Sequence, residues 1–214
     1  VFSKSELETI ARYCITRDVV AITDEIYEHI TYDGLEHTPM AVIEGMRDRT
    51  ITVNGVSKTF SVTGWRVGYV IASPEMTSAV RKVHDFLTVG APAPLQEAAA
   101  HALNTADGYY AALRDFYVQR RDYFFTVLQD AGFLCHKPSG AYYIMAGMSK
   151  WGFRDDMSFA RFLGKEAGVA VVPGSSFYRT GSQEGAGIVR FCFCKKMETL
   201  EAAAERLRGL KDRA

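Results

Sequence analysis

The chain has 214 residues, 48% of them apolar, and its 25 lysines and arginines are matched by 25 aspartates and glutamates, so the formal charge is zero. That balance argues against the basic stripe by which proteins hold nucleic acid or an anionic membrane surface, and no apolar run approaches the roughly 20 residues that span a bilayer. The length allows one large or two small domains with a sizeable core.

The opening residues, Val1-Phe2-Ser3-Lys4-Ser5-Glu6, lack the pattern of a signal peptide. Ser3 followed by Glu6 predicts a capping box, and Leu7, Ile10 and Ala11 then recur at helical spacing. Asp18 to Thr23 is an apolar, β-branched run, the pattern of a strand buried on both faces. Ile51-Thr52-Val53 and Val67 to Ala72 read as further strands. A helix followed by such strands predicts an α/β layer with a mostly parallel sheet, in which ligands gather at the carboxyl ends of the strands. Asp24 stands at such an end.

Between the second and third strands lies Asn54-Gly55-Val56-Ser57-Lys58-Thr59-Phe60-Ser61-Val62-Thr63-Gly64-Trp65-Arg66. This turn gathers an amine, a guanidinium, several hydroxyls and free backbone amides, a combination suited to an anionic ligand. Pro74 to about Leu87 is predicted helical, with Met76, Val80, Val83 and Leu87 on one face. The run from Thr88 to Pro94 breaks it, and an alanine-rich helix follows from Leu95 to about Asn104. A long helix from Gly108 to Ala131 carries Tyr110, Leu113, Phe116, Tyr117, Tyr123, Phe124 and Leu128 at core spacing, with Gly132 as its C-cap.

The remainder reads as a smaller α+β unit. Short strands are expected at Phe133 to Lys137, Ala141 to Ala146, Val169 to Val172 and Ile188 to Cys194, with helices from Ser158 to Ala167 and from Lys196 to about Leu210. These features place residues 1–112 in a larger layer and residues 113–214 in the small domain. Arg190 is the one charge in its apolar strand; a buried, unpaired charge costs several kcal/mol, so it needs an anion from elsewhere in the fold or from a ligand. Cys192 and Cys194 alternate along the same strand and so share a face, which is wrong for a mutual disulfide within a regular strand. With Cys14 and Cys135 they read as free thiols of a cytoplasmic protein, and no metal-ligand spacing is present.

The segment from Gly55 through Lys58 to Arg66 and Gly68 resembles the cofactor attachment site of the class I/II, fold type I, pyridoxal-phosphate-dependent aminotransferases. Asp24 and Tyr27, in Thr23-Asp24-Glu25-Ile26-Tyr27, resemble the same family's ring-binding motif. The resemblance implies pyridoxal 5'-phosphate joined to Lys58 as a Schiff base, with Asp24 at the pyridine nitrogen, Tyr27 at the ring hydroxyl, and Arg66 at the phosphate. Gly55 stands where many relatives have a serine, and Ser57 is the hydroxyl expected to compensate. The strand Val189-Arg190-Phe191 implies that Arg190 grips the substrate carboxylate, and Gly140-Ala141-Tyr142 resembles a turn that places Tyr142 beside the substrate.

Transfer of an amino group from an L-amino acid to a 2-oxo acid, in a homodimer, is the activity this implies. The wording around Ser139 to Tyr143 and Val189 to Lys195 is most similar to the kynurenine, glutamine and methionine branch, which favours aromatic and sulfur-containing substrates. The resemblance covers nearly all of this chain but about the C-terminal half of a complete family member, so the chain alone is expected to lack part of the cofactor site. A carbon–sulfur lyase, an aminocyclopropane-carboxylate synthase-like enzyme and the cofactor-binding sensor of a transcription regulator share these anchors.

Overall fold

The computed structural model describes residues 1–104 and 107–210. The chain divides into two compact units, Val1–Leu113 and Arg114–Ala214.

The first unit opens with helix α1, Lys4–Arg17, started by the capping box: Glu6 N–H donates to Ser3 Oγ at 3.4 Å and Ser3 N–H to Glu6 Oε2 at 2.7 Å. The buried positions of α1 are Leu7, Ala11 and Cys14, packed on Met40, Ile43 and Met46. Ile10, which the spacing placed on the same face, is exposed. Asp18 ends the helix in the left-handed region at φ 50°, so strand β1 begins only at Ala21 and runs to Asp24.

Strand β1 pairs in parallel with β2, Thr50–Gly55, and β2 pairs antiparallel with β3, Gly68–Ile71. The expected burial of β1 on both faces does not hold in this chain. Ile22 is 72% exposed, because side chains alternate across a strand and nothing among the described residues covers that side. Helix α2, Pro74–Leu87, likewise has no buried residue, and its apolar side leaves Phe86 94% exposed. Helix α3, Ala93–Leu103, supplies Leu95 and Ala99 to a small core with Val56, Phe60, Val62 and Val67.

Helix α4, Asp107–Asp130, contains the division between the units. In the second unit its Phe124 meets Phe191, while Phe133, Trp151 and Phe159 pack ring against ring in the core. The sheet is antiparallel throughout, ordered β4 (Leu134–Cys135), β5 (Tyr143–Gly147), β7 (Ile188–Cys192), β6 (Val172–Pro173). Ile144, Ala146, Val189 and Phe191 form its buried face. The predicted helix from Ser158 instead starts at Asp156 as α5 (Asp156–Phe162) and widens into one π-helical turn, Leu163–Ala167. Helix α6, Met197–Arg208, buries Leu200, Ala204 and Leu207.

Candidate active site

The parallel register sets Asp24 of β1 opposite Val53 of β2, so the segment after Asp24 and the turn after Gly55 leave the same edge of the sheet. Because β3 runs back antiparallel, its first residue, Gly68, pairs with Gly55, and Arg66 precedes it on that edge. Asp24, Tyr27, Ser57, Lys58 and Arg66 are thereby brought to one edge by strand order, although they are spread over two connections.

Local bonds shape both segments. Asp24 accepts the Ile26 amide on Oδ1 at 3.2 Å, and its Oδ2 has no hydrogen-bond partner among the described residues. Tyr27 O accepts the Ile30 amide at 2.8 Å, which closes the turn that carries Tyr27. The Lys58 turn is braced from within by Thr63 Oγ1 donating to Ser57 O at 3.1 Å and from α4 by Tyr109 Oη donating to Thr59 O at 2.7 Å. Beneath it lies the small core of Val56, Phe60, Val62 and Val67. Ser61 and Arg66 both take positive φ, 56° each, which turns the chain sharply enough to bring Gly68 back to Gly55.

Arg66 donates from one terminal nitrogen to Thr63 O at 3.1 Å and meets no carboxylate among the described residues. It borders an open cavity of about 900 Å³ with Asn54, Trp65, Tyr69 and Gln96. Asp24, Tyr27 and Lys58 are not in that lining. The donor set on the sheet edge matches the chemistry of pyridoxal phosphate: an acid for a ring nitrogen, a phenol for a ring hydroxyl, an amine for an aldehyde, and a guanidinium and hydroxyls for a phosphate.

Glu25, next to Asp24, is a residue that the pattern did not single out. Its buried carboxylate accepts from Thr23 Oγ1 and His37 Nε2 at 2.8 Å each and from the Met40 amide at 3.3 Å. Burial raises its pKa, but these three donors outweigh that and hold it below the ordinary 4.5. The strand end that carries Asp24 is thus tied to the loop at residues 37–40. The adjacent Thr23-Asp24-Glu25 was the only available signal, since His37 and Met40 lie in an aperiodic stretch.

In the second unit Arg190 stands on the face of β7 opposite the core, across from Met145 of β5. Its guanidinium carbon is 5.1 Å from the centroid of the Tyr143 ring and 4.5 Å from that of Phe177. Its buried Nε has no hydrogen-bond partner among the described residues. Tyr142 packs its ring at 5.7 Å from Tyr117 and accepts the Phe193 amide on its carbonyl. The aromatic neighbours of Arg190 are therefore Tyr143 and Phe177. Strand pairing gives Tyr143 its place, and Phe177 comes from a short 3-10 turn that no periodicity marks.

The family model for aminotransferase class I and II matches residues 1–207. The chain belongs to the class I and II aminotransferases. Members of this family use pyridoxal phosphate as cofactor. The aminotransferase chain is 36% identical to the probable N-succinyldiaminopimelate aminotransferase of Mycobacterium tuberculosis over 100% of its own length and 55% of that relative. It is 34% identical to the methionine aminotransferase of Escherichia coli, over 98% of its length and 54% of the relative. The solved N-succinyldiaminopimelate aminotransferase from Mycobacterium tuberculosis superposes with a TM-score of 0.93 at 38% identity, over 98% of this chain and 54% of that one. This chain thus spans about half the length of the relatives it matches, and its α/β architecture is that of fold type I. Among the described residues no helix is long and apolar enough to cross a membrane.

Proposed function

We propose that the protein transfers the amino group of an L-amino acid of aromatic, methionine, glutamine or kynurenine type to a 2-oxo acid, with pyridoxal 5'-phosphate held covalently by Lys58. When bound, the cofactor supplies an electron sink for the charge left on the amino-acid α-carbon after its proton is removed. In this reading Asp24 keeps the pyridine nitrogen protonated through its unpartnered oxygen, and Tyr27 hydrogen-bonds the ring hydroxyl. Arg66 and Ser57 hold the phosphate, and the Lys58 amine takes the α-proton and returns it. Arg190 binds the substrate α-carboxylate and Tyr142 flanks the substrate. The protein works in the cytoplasm as a homodimer.

The observation that carries the proposal is the gathering on one sheet edge of an amine, a carboxylate and a guanidinium, the last two with no ion-pair partner among the described residues. The substrate class is supported by the wording around Arg190 and by the activity in the name of the methionine aminotransferase relative. The other relative is named a probable N-succinyldiaminopimelate aminotransferase, so the assay must separate the two.

The decisive experiment uses the full-length gene product. Lys58→Ala is expected to abolish both turnover and the visible absorbance of the protein-bound cofactor, and a variant that still transaminates at near the original rate overturns the assignment. Phenylalanine, methionine and kynurenine are expected to outperform aspartate and N-succinyldiaminopimelate as donors; a strict preference for either of the latter removes the substrate class. Release of pyruvate or ammonia without an acceptor acid replaces transfer by elimination.

A further inference from the structure

Tyr27 and Lys58 lie on two different connections, and a side-chain hydrogen bond joins those connections. Past Asp24 the chain keeps one more bond to β2, Glu25 N–H donating to Val53 O at 2.9 Å, and then turns: Glu28 N–H donates to Glu25 O at 3.0 Å and Ile30 N–H to Tyr27 O at 2.8 Å. The turn brings Glu28 to the end of β2, where its Oε1 accepts from Asn54 Nδ2 at 2.7 Å. Asn54 is 6% exposed, and its other end is already in use, Oδ1 accepting the Gly55 amide at 2.7 Å. That bond fixes which way the side-chain amide faces, so its donor side meets Glu28. A buried amide costs free energy unless both ends are satisfied. Here one end holds Gly55, from which the Lys58 turn leaves, and the other holds the residue after Tyr27.

A second tie runs through α4. The His29 ring stacks on Tyr110 with 4.1 Å between centroids, and Tyr110 meets the Tyr109 ring edge-on at 5.7 Å. Tyr109 in turn stacks on Phe60 at 5.2 Å and donates to Thr59 O. Glu28 and His29, the two residues after Tyr27, are thus joined to Asn54 ahead of Lys58 and to Thr59 and Phe60 behind it. Two titratable groups face Glu28. His29 Nε2 is 3.6 Å from the same Oε1, and Tyr69, paired with Asn54 across the strands, has its phenol pushed up by burial first and by the Glu28 charge second.

We propose that the Glu28–Asn54 hydrogen bond is the clamp that sets the spacing of Tyr27 and Lys58, with Glu28 and Asn54 as positioning residues for the bound cofactor. The inference rests on the reading that Tyr27 and Lys58 hold pyridoxal phosphate. A phenol held by the clamp donates to the ring oxygen, which carries most charge once the proton it shares with the Lys58 nitrogen has left, and so favours loss of that proton. Slackening the clamp weakens the donation and raises the pH at which the bound cofactor changes its visible absorbance. Glu28 acts through Tyr27 and the Lys58 turn rather than on the cofactor itself.

The full-length gene product, loaded with pyridoxal 5'-phosphate, is titrated across pH by its visible absorbance. Tyr27→Phe is expected to raise the midpoint, and Glu28→Ala and Asn54→Ala each to raise it by about half a pH unit or more. Glu28→Gln keeps an acceptor oxygen and should stay near the wild-type midpoint, while Glu28→Ala added to Tyr27→Phe should raise it no further. Hydrogen–deuterium exchange without cofactor reads the clamp alone: Glu28→Ala is expected to speed exchange of the amides of residues 56–61 by at least about threefold, along with those of its own turn. The proposal is overturned if exchange rises only in the turn that carries Glu28, if Glu28→Gln shifts the midpoint as much as Glu28→Ala, or if the Glu28→Ala shift persists in full on the Tyr27→Phe background. Absorbance that survives Lys58→Ala, or a midpoint that Tyr27→Phe leaves in place, brings down the cofactor reading instead, and the exchange result then decides the tie between the two segments by itself.

Discussion

Arg190 holds its guanidinium carbon 4.5 Å from the centre of the Phe177 ring, with the Tyr143 ring 5.1 Å away. Ring faces attract the cation, and the buried Nε has no hydrogen-bond partner among the described residues. A carboxylate docking there gains charge-assisted hydrogen bonds worth about 1.5–3 kcal/mol.

Arg190→Lys keeps the charge but loses the planar fork and one donor direction. In the cofactor-loaded enzyme kcat/KM for the amino acid should fall by about 10- to 100-fold. Phe177→Leu, which removes only the ring, should raise KM by about three- to tenfold with kcat nearly unchanged. Steady-state kinetics of the two variants decide the matter, and an unaltered KM in both removes Arg190 from the substrate site.

Gly55 and Gly68 close the Lys58 turn because neither position has room for a methyl group. A Cβ on Gly68 would stand 2.8 Å from Asn54 O, and one on Gly55 would stand 2.9 Å from Val67 O and 3.0 Å from the Gly68 Cα. All three obstacles are backbone atoms in or next to the β2–β3 pairing, so relief requires the backbone to shift there. Gly68→Ala should cost about 1–3 kcal/mol of stability. By contrast, Gly64→Ala meets nothing within 4 Å and should cost under about 0.5 kcal/mol. Thermal unfolding of the two variants side by side tests this; equal midpoints would show that the strand pairing tolerates the extra atom.

Much of this was legible in the chain because the relevant signals are local. The β-branched runs on either side of the Lys58 turn, the Ser3–Glu6 box and the helix start at Pro74 each act within a few residues, and the structure has them where the pattern placed them. The exposure of Ile22 was not legible, since an apolar run reads as buried whether or not this chain supplies the cover. Nor was the ring cage at Arg190. Tyr143 and Phe177 reach it through pairing between strands and through an irregular turn, and neither leaves a period in the sequence. The end of β7 at Cys192 escaped for a related reason: the strand pattern continues in the letters to Cys194 after the backbone has left the sheet, and the bond from the Lys195 amide to Phe193 O that bends it has no composition signature.

The Glu25 cluster makes stability depend on pH in a definite direction. A carboxylate whose folded pKa lies below its unfolded value of 4.5 stabilises the fold fully above that value, and the contribution is lost as pH falls through the depressed value. Glu25→Gln should therefore lower the unfolding free energy by about 1–3 kcal/mol at about pH 7. The gap between variant and wild type should narrow once the medium drops well below 4.5, where wild-type Glu25 is itself protonated. Urea unfolding at about pH 7, 5 and 3 measures it, and a gap that stays constant across the series would show that the carboxylate charge is not what ties Asp24's strand to residues 37–40.

Arg121 on α4 has a side chain with 0% exposure, and its Nε donates to Asp122 Oδ1 at 2.7 Å. A terminal nitrogen donates to Pro138 O at 3.2 Å, and Lys137 reaches the same Asp122 oxygen at 2.9 Å. Burial raises the Asp122 pKa, but the Lys137 and Arg121 hydrogen bonds and charges together hold it below 3.8. The two cations are not equivalent. Lys137 is 40% exposed, so its pairing with Asp122 is screened by water and worth at most about 1 kcal/mol. Arg121 is fully buried, so its bond to Asp122 is made where water does not screen it. Asp122→Asn should therefore destabilise the second unit by about 2 kcal/mol after allowance for the exposure of Asp122 itself, while Lys137→Met should cost under about 1 kcal/mol. Denaturant midpoints give the comparison, and losses of equal size would mean that the surface lysine, rather than the buried arginine, sets the value of this carboxylate.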